Sequence, residues 1–273
     1  MQGIDHLTID RLIVDMDGVL WHGDTPVPGL TDFFATLDAL DIPFVLATNN
    51  AMRVADQYTE KLARFGVAVA PERILTSSEA TASYLRRTFP EADRVYVVGE
   101  SGLARAVLEQ GFEVLGPAEV RSGARAPLVV AGLTRDALSY ELLAMANILI
   151  RQGARFVATN HDATFPTEIG QLPGAGAIVS FLETSTGETA TVIGKPNPHM
   201  FEEALVRLGG SAQGVAVVGD RLQTDIAGGK AAGLQTIMVL SGISTREDIE
   251  TSGIRPDAVV QDITELARAL RGR

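Results

Sequence analysis

Short apolar runs alternate with helix-length stretches along almost the whole 273-residue chain, and that alternation restricts its fold more than any other feature. "RLIV" (11–14), "PFVLATNN" (43–50), "VYVVG", "PLVVAGL" and "RFVATN" read as strands buried on both faces. Between them, "LTDFFATLDALD" (30–41), "ADQYTEKLARFG", "SGLARAVLEQG" and "SYELLAMANILIRQG" carry apolar residues at helical spacing. Gly29 or Thr31 marks the start of the first helix and Gly66 the close of the second. The last third repeats the rhythm, with "TATVIGK", a helix at "PHMFEEALVRLG", "GVAVVGD", a helix at "DIAGGKAAG", then "QTIMVLSG" and "DAVV". Strands alternating with helices predict an α/β fold with parallel sheets.

Composition narrows the function. Hydrophobic residues at 46% and charged residues at 21% suit a chain that buries a core, as one large domain or two modest ones. Cysteine is absent, which excludes disulfides and thiolate–metal sites and gives no argument for secretion. The opening "MQGIDHLTIDR" has early acids and no apolar signal segment, and no run approaches a membrane span. A cytoplasmic protein without membrane contact is therefore expected. The net charge of −11 offers no basic footprint for nucleic acid. It also repels anions at long range, so an anionic substrate needs a local cation or a placed Lys or Arg.

Asp15 and Asp17, one residue apart after "RLIV", admit three readings: a turn, a metal site, or a nucleophile with its acid. Position favours chemistry. Ligands of open α/β sheets bind beyond the carboxyl ends of the strands, and Asp15, Thr48, Lys195 and Asp220 all fall at or just past such ends. Asp225 falls near the start of the following helix. An ionised aspartate can attack phosphorus and form an aspartyl-phosphate, provided a cation neutralises both partners. Asp220 supplies a further hard oxygen ligand, of the kind Mg²⁺ takes together with waters and substrate oxygens. The Thr48 hydroxyl, the Asn49 backbone N–H and the Lys195 ammonium can bind phosphate oxygens. An acid two residues from the nucleophile can protonate the leaving alkoxide. The constellation reads as phosphoryl transfer through a covalent intermediate.

"DMDGVL", "ATNN", "GKPNP" and "GDRLQTDI", in that order, resemble the four motifs of the haloacid dehalogenase superfamily, and their spacing resembles its NagD-like, p-nitrophenylphosphatase branch. The resemblance covers essentially the whole chain. It implies a phosphoric monoester hydrolase with Asp15 as nucleophile and Asp17 as general acid/base. It makes Thr48, Asn49 and Asn50 phosphate binders and Lys195 the lysine that clamps the phosphate. Mg²⁺ would be held by the Asp15 carboxylate, the Asp17 backbone carbonyl and Asp220, with Asp225 orienting the metal's waters. The dehalogenase branch lacks an acid at the position of Asp17, so that residue points to the phosphatases.

Spacing locates a second domain. The interval from Asp15 to Thr48 holds a short flap, one helix and one strand, whereas that from Asn50 to Lys195 far exceeds one helix–strand passage. Roughly a hundred residues, from about Pro90 to Thr189, must form an inserted smaller α/β domain. The expected architecture is a Rossmann-like parallel-sheet core (1–89 and 190–273) with an inserted cap (90–189), which in the family covers the active site and reads the substrate. "ATNHDATFPTEIGQLPGAGA" (158–177) matches the position of the family's specificity loop, ahead of a helix beginning near Gly174. Asn160, His161, Asp162 and Phe165 are its candidates for touching the leaving group, or for holding the loop by Asx-type bonds and packing. Without a basic cluster there, a small monoester is favoured over a polyanion. Sugar phosphates, nucleoside monophosphates, phosphoglycolate-like esters and p-nitrophenyl phosphate fit that description.

Other chemistry is unsupported. "VVGESG" and "PGAGA" are not G-x-G-x-x-G dinucleotide loops, and no G-x-S-x-G elbow occurs. His6, His22, His161 and His199 show no metal-ligand spacing. The alternatives that remain are a phosphotransferase or mutase using the same intermediate, and a binding protein of the same fold without turnover. The expected partner is a small phosphorylated metabolite, with self-association through the cap left open.

Overall fold

The computed structural model of the chain describes residues 3–167 and 170–272. The chain divides into two compact units. One comprises Met1–Thr48, Ala55–Leu75 and Lys195–Arg273, the other Asn49–Val54 and Thr76–Gly194.

The larger unit is built on a six-stranded sheet in the order Ala258–Val260, Gln235–Val239, Val215–Gly219, Arg11–Val14, Phe44–Thr48, Ile74–Thr76. The pairs from Ala258–Val260 across to Phe44–Thr48 are all parallel. Leu12, Val14, Ile237 and Val239 pack with Phe33, Leu37, Leu266 and Leu270 from helices Leu30–Ala39 and Ile263–Arg271. Met238, between two of those strand residues, instead joins Leu222, Ile226 and Ile249. Neighbouring strand residues point to opposite faces, so both faces of this sheet are covered. That is why its strands read as continuous apolar runs rather than as alternating ones.

The first strand lies in the middle. Val14 pairs with Val218 on one side and Leu46 on the other, so the carboxyl ends of three strands stand side by side. The chain leaves the first strand toward Phe44–Thr48 and returns on its other flank as Val215–Gly219, which makes this the switch point where such sheets hold ligands. Helix Leu30–Ala39 starts on Gly29, the first of the two residues expected there, at φ 81°. A Cβ at Gly29 would stand 2.4 Å from Thr264 Oγ1, so both conformation and space demand glycine.

The smaller unit has a five-stranded parallel sheet in the order Thr191–Val192, Arg155–Ala158, Leu128–Ala131, Arg94–Val98, Glu113–Leu115. Its core draws Tyr96, Val98, Val129 and Ala131 from the sheet, and Leu149, Val179 and Leu182 from helices Tyr140–Arg151 and Ala175–Thr186.

The units meet the sequence at other points than the expected 90 and 189. Helix Ser77–Thr88 packs on Ser101–Glu109 and so belongs to the smaller unit. Its start is a capping box, in which the Thr76 side chain accepts from Glu79 N while Glu79 accepts from Thr76 N, readable as T-x-x-E. At the other end, Thr191–Val192 pairs with Arg155–Ala158, which carries the unit to Gly194. The stretch expected as a loop within 158–177 contains two antiparallel paired strands, Thr164–Thr167 and Gly170–Pro173, with Phe165 opposite Leu172 and Thr164 opposite Pro173. The helix after them begins at Ala175, with Gly174 at its N-cap. Among the described residues, no helix is long and apolar enough to cross a membrane.

Candidate active site

Asp15 is the first residue past the central strand, and its backbone N–H donates to Val218 O (2.8 Å). Three other residues from distant parts of the larger unit converge on it. The Lys195 ammonium donates to Asp15 Oδ1 (2.5 Å), to Asp225 Oδ1 (2.7 Å) and to Ala47 O (3.0 Å). Asp15, Asp220 and Asp225 each bring a carboxylate oxygen within 4.8 Å of the others. Asp220 and Asp225 are fully buried, while the Asp15 side chain keeps 12% exposure. Thr48 is buried at the end of its strand, next in the chain to the Ala47 carbonyl that Lys195 engages.

Tight glycine packing fixes the acids. A Cβ on Gly242 would stand 2.0 Å from Asp220 Oδ2, and one on Gly18 (φ 86°) 2.4 Å from the same atom. A Cβ on Gly219 would meet Asp225 Cβ at 2.2 Å. Asp220 Oδ2 accepts the Ile243 N–H (2.7 Å), and the Asp220 carbonyl accepts that of Ser244 (3.0 Å). Asp225 rides on a π-helical turn, Leu222–Ile226, and its Oδ2 accepts the Arg221 N–H (3.2 Å). Such turns interrupt regular helices and often mark functional sites.

Three carboxylates around one ammonium leave a surplus of negative charge in a desolvated place. Burial raises Asp15 well above the usual carboxylate range, Lys195 pulls it back, and Asp225 and Asp220 add to the rise. Asp220 is pushed up to about 6 by burial and by Asp225, against the Ile243 N–H, Arg221 and Lys195. Burial alone would discharge Lys195, but Asp15 and Asp225 outweigh it and hold the ammonium charged. Asp220 Oδ1 is buried and has no hydrogen-bond partner among the described residues. A buried carboxylate oxygen without a donor is costly unless a cation meets it. The donor set, all hard oxygens, fits Mg²⁺.

Asp17 is exposed, and its Oδ1 accepts from Trp21 Nε1 (2.8 Å). Asn49 and Asn50 fall in the smaller unit. The Asn49 carbonyl accepts from Ser77 Oγ (2.7 Å) and Asn160 Nδ2 (2.8 Å), and Asn49 Nδ2 donates to Asp162 Oδ2 (3.3 Å). Asn50 Oδ1 accepts the Met52 N–H (2.9 Å), an Asx turn. Asn160 Oδ1 accepts the Asp162 N–H (3.0 Å), and His161 Nε2 lies 3.3 Å from Glu183 Oε2. Phe165 is half-buried, with the Arg135 guanidinium 6.0 Å from its ring centre. Within that unit, then, Asn160 and Asp162 bind the backbone and side chain of Asn49.

Sequence reasoning did not reach Trp21 or the loop Gly242–Ser244. The loop's signal was small residues beyond a strand end; Trp21 carried none, since an indole in a flap reads as packing.

A family model described as haloacid dehalogenase-like hydrolase matches residues 12–113, and one described as HAD-hydrolase-like matches residues 192–266. The acid sugar phosphatase of Staphylococcus aureus is 38% identical over 253 residues, covering 93% of this chain and 95% of its own. NagD from Escherichia coli K-12 superposes with a TM-score of 0.86 at 34% identity, over 95% of this chain and 98% of its own. The glycerol phosphate phosphatase of Mycobacterium tuberculosis, solved in complex with magnesium, gives a TM-score of 0.86 at 36% identity, over 99% of this chain and 78% of its own.

Proposed function

We propose that this chain, which belongs to the haloacid dehalogenase-like hydrolases and is a phosphatase of the NagD type, hydrolyses small phosphate monoesters through a phospho-aspartyl intermediate on Asp15. The observation that carries this reading is the meeting of Asp15, Lys195, Asp220 and Asp225 at one sheet edge. The Asp15 carboxylate attacks phosphorus. Lys195, held charged, aligns Asp15 and neutralises a phosphate oxygen. The Thr48 hydroxyl and, next along the chain, the Asn49 backbone N–H are the neutral donors to the phosphate. Asp17 protonates the departing ester oxygen and then takes a proton from the water that opens the intermediate.

Mg²⁺ is the cofactor we assign, held by Asp15, the Asp17 carbonyl and Asp220, with Asp225 supporting it. When bound it supplies the positive charge that lets two anions approach. The surplus charge of the cluster and the Asp220 Oδ1 that has no hydrogen-bond partner among the described residues support that assignment. The substrates we favour are phosphates of sugars and small polyols. The support is the likeness to an acid sugar phosphatase and to a glycerol phosphate phosphatase.

The test is a panel of sugar, polyol and p-nitrophenyl phosphates assayed with Mg²⁺ and with excess chelator, for the wild type and Asp15→Asn. Turnover that needs Mg²⁺ and falls by about a thousandfold or more in Asp15→Asn is expected. Activity within about tenfold of wild type, with deamidation of the new Asn excluded, would take Asp15 out of the nucleophile's role.

A further inference from the structure

The contact between Trp21 and Asp17 has no part in the chemistry described so far. Trp21 sits four residues beyond Asp17 on a tight turn, in which Gly18 N–H donates to Trp21 O (2.8 Å) and Leu20 N–H to Met16 O (2.8 Å). Gly18 makes this possible at φ 86°. The turn folds the indole back so that its only polar atom reaches Asp17 Oδ1, while the ring itself is wholly buried.

Three side chains pack against the ring. Tyr58 stacks on it with centroids 6.3 Å apart at 16°, and Phe65 packs at 6.1 Å, tilted by 52°. The Lys61 ammonium stands 4.4 Å from the indole centroid and donates to Gly23 O (2.6 Å), tying helix Ala55–Arg64 to the short hairpin after Trp21. Lys61 is 3% exposed, an unusual place for an ammonium. A cation above the indole face is attracted by its π-electrons, and it draws electron density from the ring, making the N–H a better donor.

An indole N–H donates and cannot accept. With Asp17 Oδ1 engaged as its acceptor, the carboxylic proton is left to Oδ2. We propose that Trp21, backed by Lys61 and Tyr58, is the positioning residue that presents Asp17 Oδ2 as the proton-carrying oxygen of the reaction. The inference rests on Asp17 being the general acid/base. In the first step the phosphorus–ester oxygen bond breaks, the Asp15 oxygen–phosphorus bond forms, and the ester oxygen takes the proton from Asp17 Oδ2. In the second, a water oxygen bonds to phosphorus, the Asp15 oxygen leaves, and the water's proton passes to Asp17 Oδ2.

The variant Trp21→Phe keeps an aromatic ring against Tyr58 and Lys61 and deletes the N–H. Single-turnover release of the alcohol should fall about tenfold or more for glycerol phosphate, which needs its leaving oxygen protonated. Release of p-nitrophenol should fall no more than about threefold, and KM should stay within about twofold, because a good leaving group needs little acid. Equal losses for both esters, or no loss, would overturn the proposal. Asp17→Asn run in parallel separates the role of Trp21 from that of Asp17. If Asp17→Asn spares the aryl ester and Trp21→Phe does not, the positioning role is wrong and the acid's role stands. If Asp17→Asn also lowers both esters equally, the assignment of the acid fails instead.

A second measurement does not depend on how Trp21→Phe folds. The chain has one tryptophan, so it gives a single indole N–H resonance. In the wild type that resonance should lie downfield and exchange slowly, and Asp17→Ala should move it upfield and speed its exchange. An indole resonance unmoved by Asp17→Ala would mean that the bond does not form in solution.

Discussion

Lys195 Nζ lies 2.5 Å from Asp15 Oδ1 across 180 residues of sequence, and the same ammonium reaches Asp225 at 2.7 Å. One cation thus sits between two buried carboxylates, and a third, Asp220, completes a cluster whose negative charge it cannot balance. The assigned chemistry and the protein's stability both depend on that imbalance.

Lys195→Met should therefore do more than weaken phosphate binding. It leaves Asp15 and Asp225 facing each other without a counter-charge, which typically costs about 3–5 kcal/mol when one partner of a buried pair is removed. Urea unfolding near neutral pH should show a loss of that order. The loss should shrink in acid, where the raised Asp15 takes up its proton. A loss that does not vary with pH would argue that Lys195 acts through packing alone.

Asp220 predicts an opposition between stability and function. Its folded-state value of about 6 exceeds the ordinary 3.8, so the folded protein without metal holds this proton more tightly than the unfolded chain. The stability this contributes is fully present below about pH 4 and is lost as pH rises through about 6. The melting temperature of the metal-free protein should accordingly fall between about pH 4 and pH 6. Asp220→Asn should flatten that fall and raise metal-free stability above pH 7, by on the order of 2–3 kcal/mol. The same variant should lose both its activity and the rise in melting temperature that Mg²⁺ gives. An unchanged slope with pH would mean that Asp220 is not the group responsible.

Gly242→Ala tests the packing that aims Asp220. A methyl group there would stand 2.0 Å from Asp220 Oδ2 and force the carboxylate off the Ile243 N–H. Disturbing groups that orient a metal ligand typically costs about 10–100-fold in affinity or activity. A Mg²⁺ titration of turnover should show a loss in that range, and a wild-type titration curve would show that the loop can yield.

Ca²⁺ should inhibit in competition with Mg²⁺. It accepts about 6–8 oxygens at longer distances and engages carboxylates in bidentate fashion, which ties up lone pairs Asp15 needs for attack. Turnover measured at fixed Mg²⁺ against rising Ca²⁺ reports this directly. Equal turnover with either ion would mean that the Asp15 lone pairs are not what limits the reaction.

Much of this was legible in the sequence, for identifiable reasons. Strands buried on both faces announce themselves as continuous apolar runs, and the residues just past them fall at the ligand-binding edge of the sheet. Asp15, Thr48 and Asp220 fall where that rule puts them, whereas the strand ahead of Lys195, Thr191–Val192, belongs to the sheet of the smaller unit, so the rule did not place that lysine. The pairing of Thr164–Thr167 with Gly170–Pro173 could not be read in the sequence, because four-residue strands containing Pro166, Gly170 and Pro173 look like loop. Nor could the ownership of helix Ser77–Thr88, although "TSSE" marks its start, since the packing partner of a helix is a tertiary fact. The bonds of Asn49 to Asn160 and Asp162 join residues more than a hundred positions apart, and Asn is read locally as a turn residue. Trp21 was hidden for the opposite reason: its bond to Asp17 is local, but depends on the turn that Gly18 permits.

In the proposed mechanism Asp15, and not water, makes the first attack on phosphorus. Each in-line displacement inverts the configuration at phosphorus, so attack by Asp15 followed by attack by water gives net retention. A phosphate ester made chiral at phosphorus with oxygen isotopes, turned over with an acceptor alcohol so that the product stays chiral, measures this directly. Net retention is expected. Inversion, the signature of a single displacement, would contradict it.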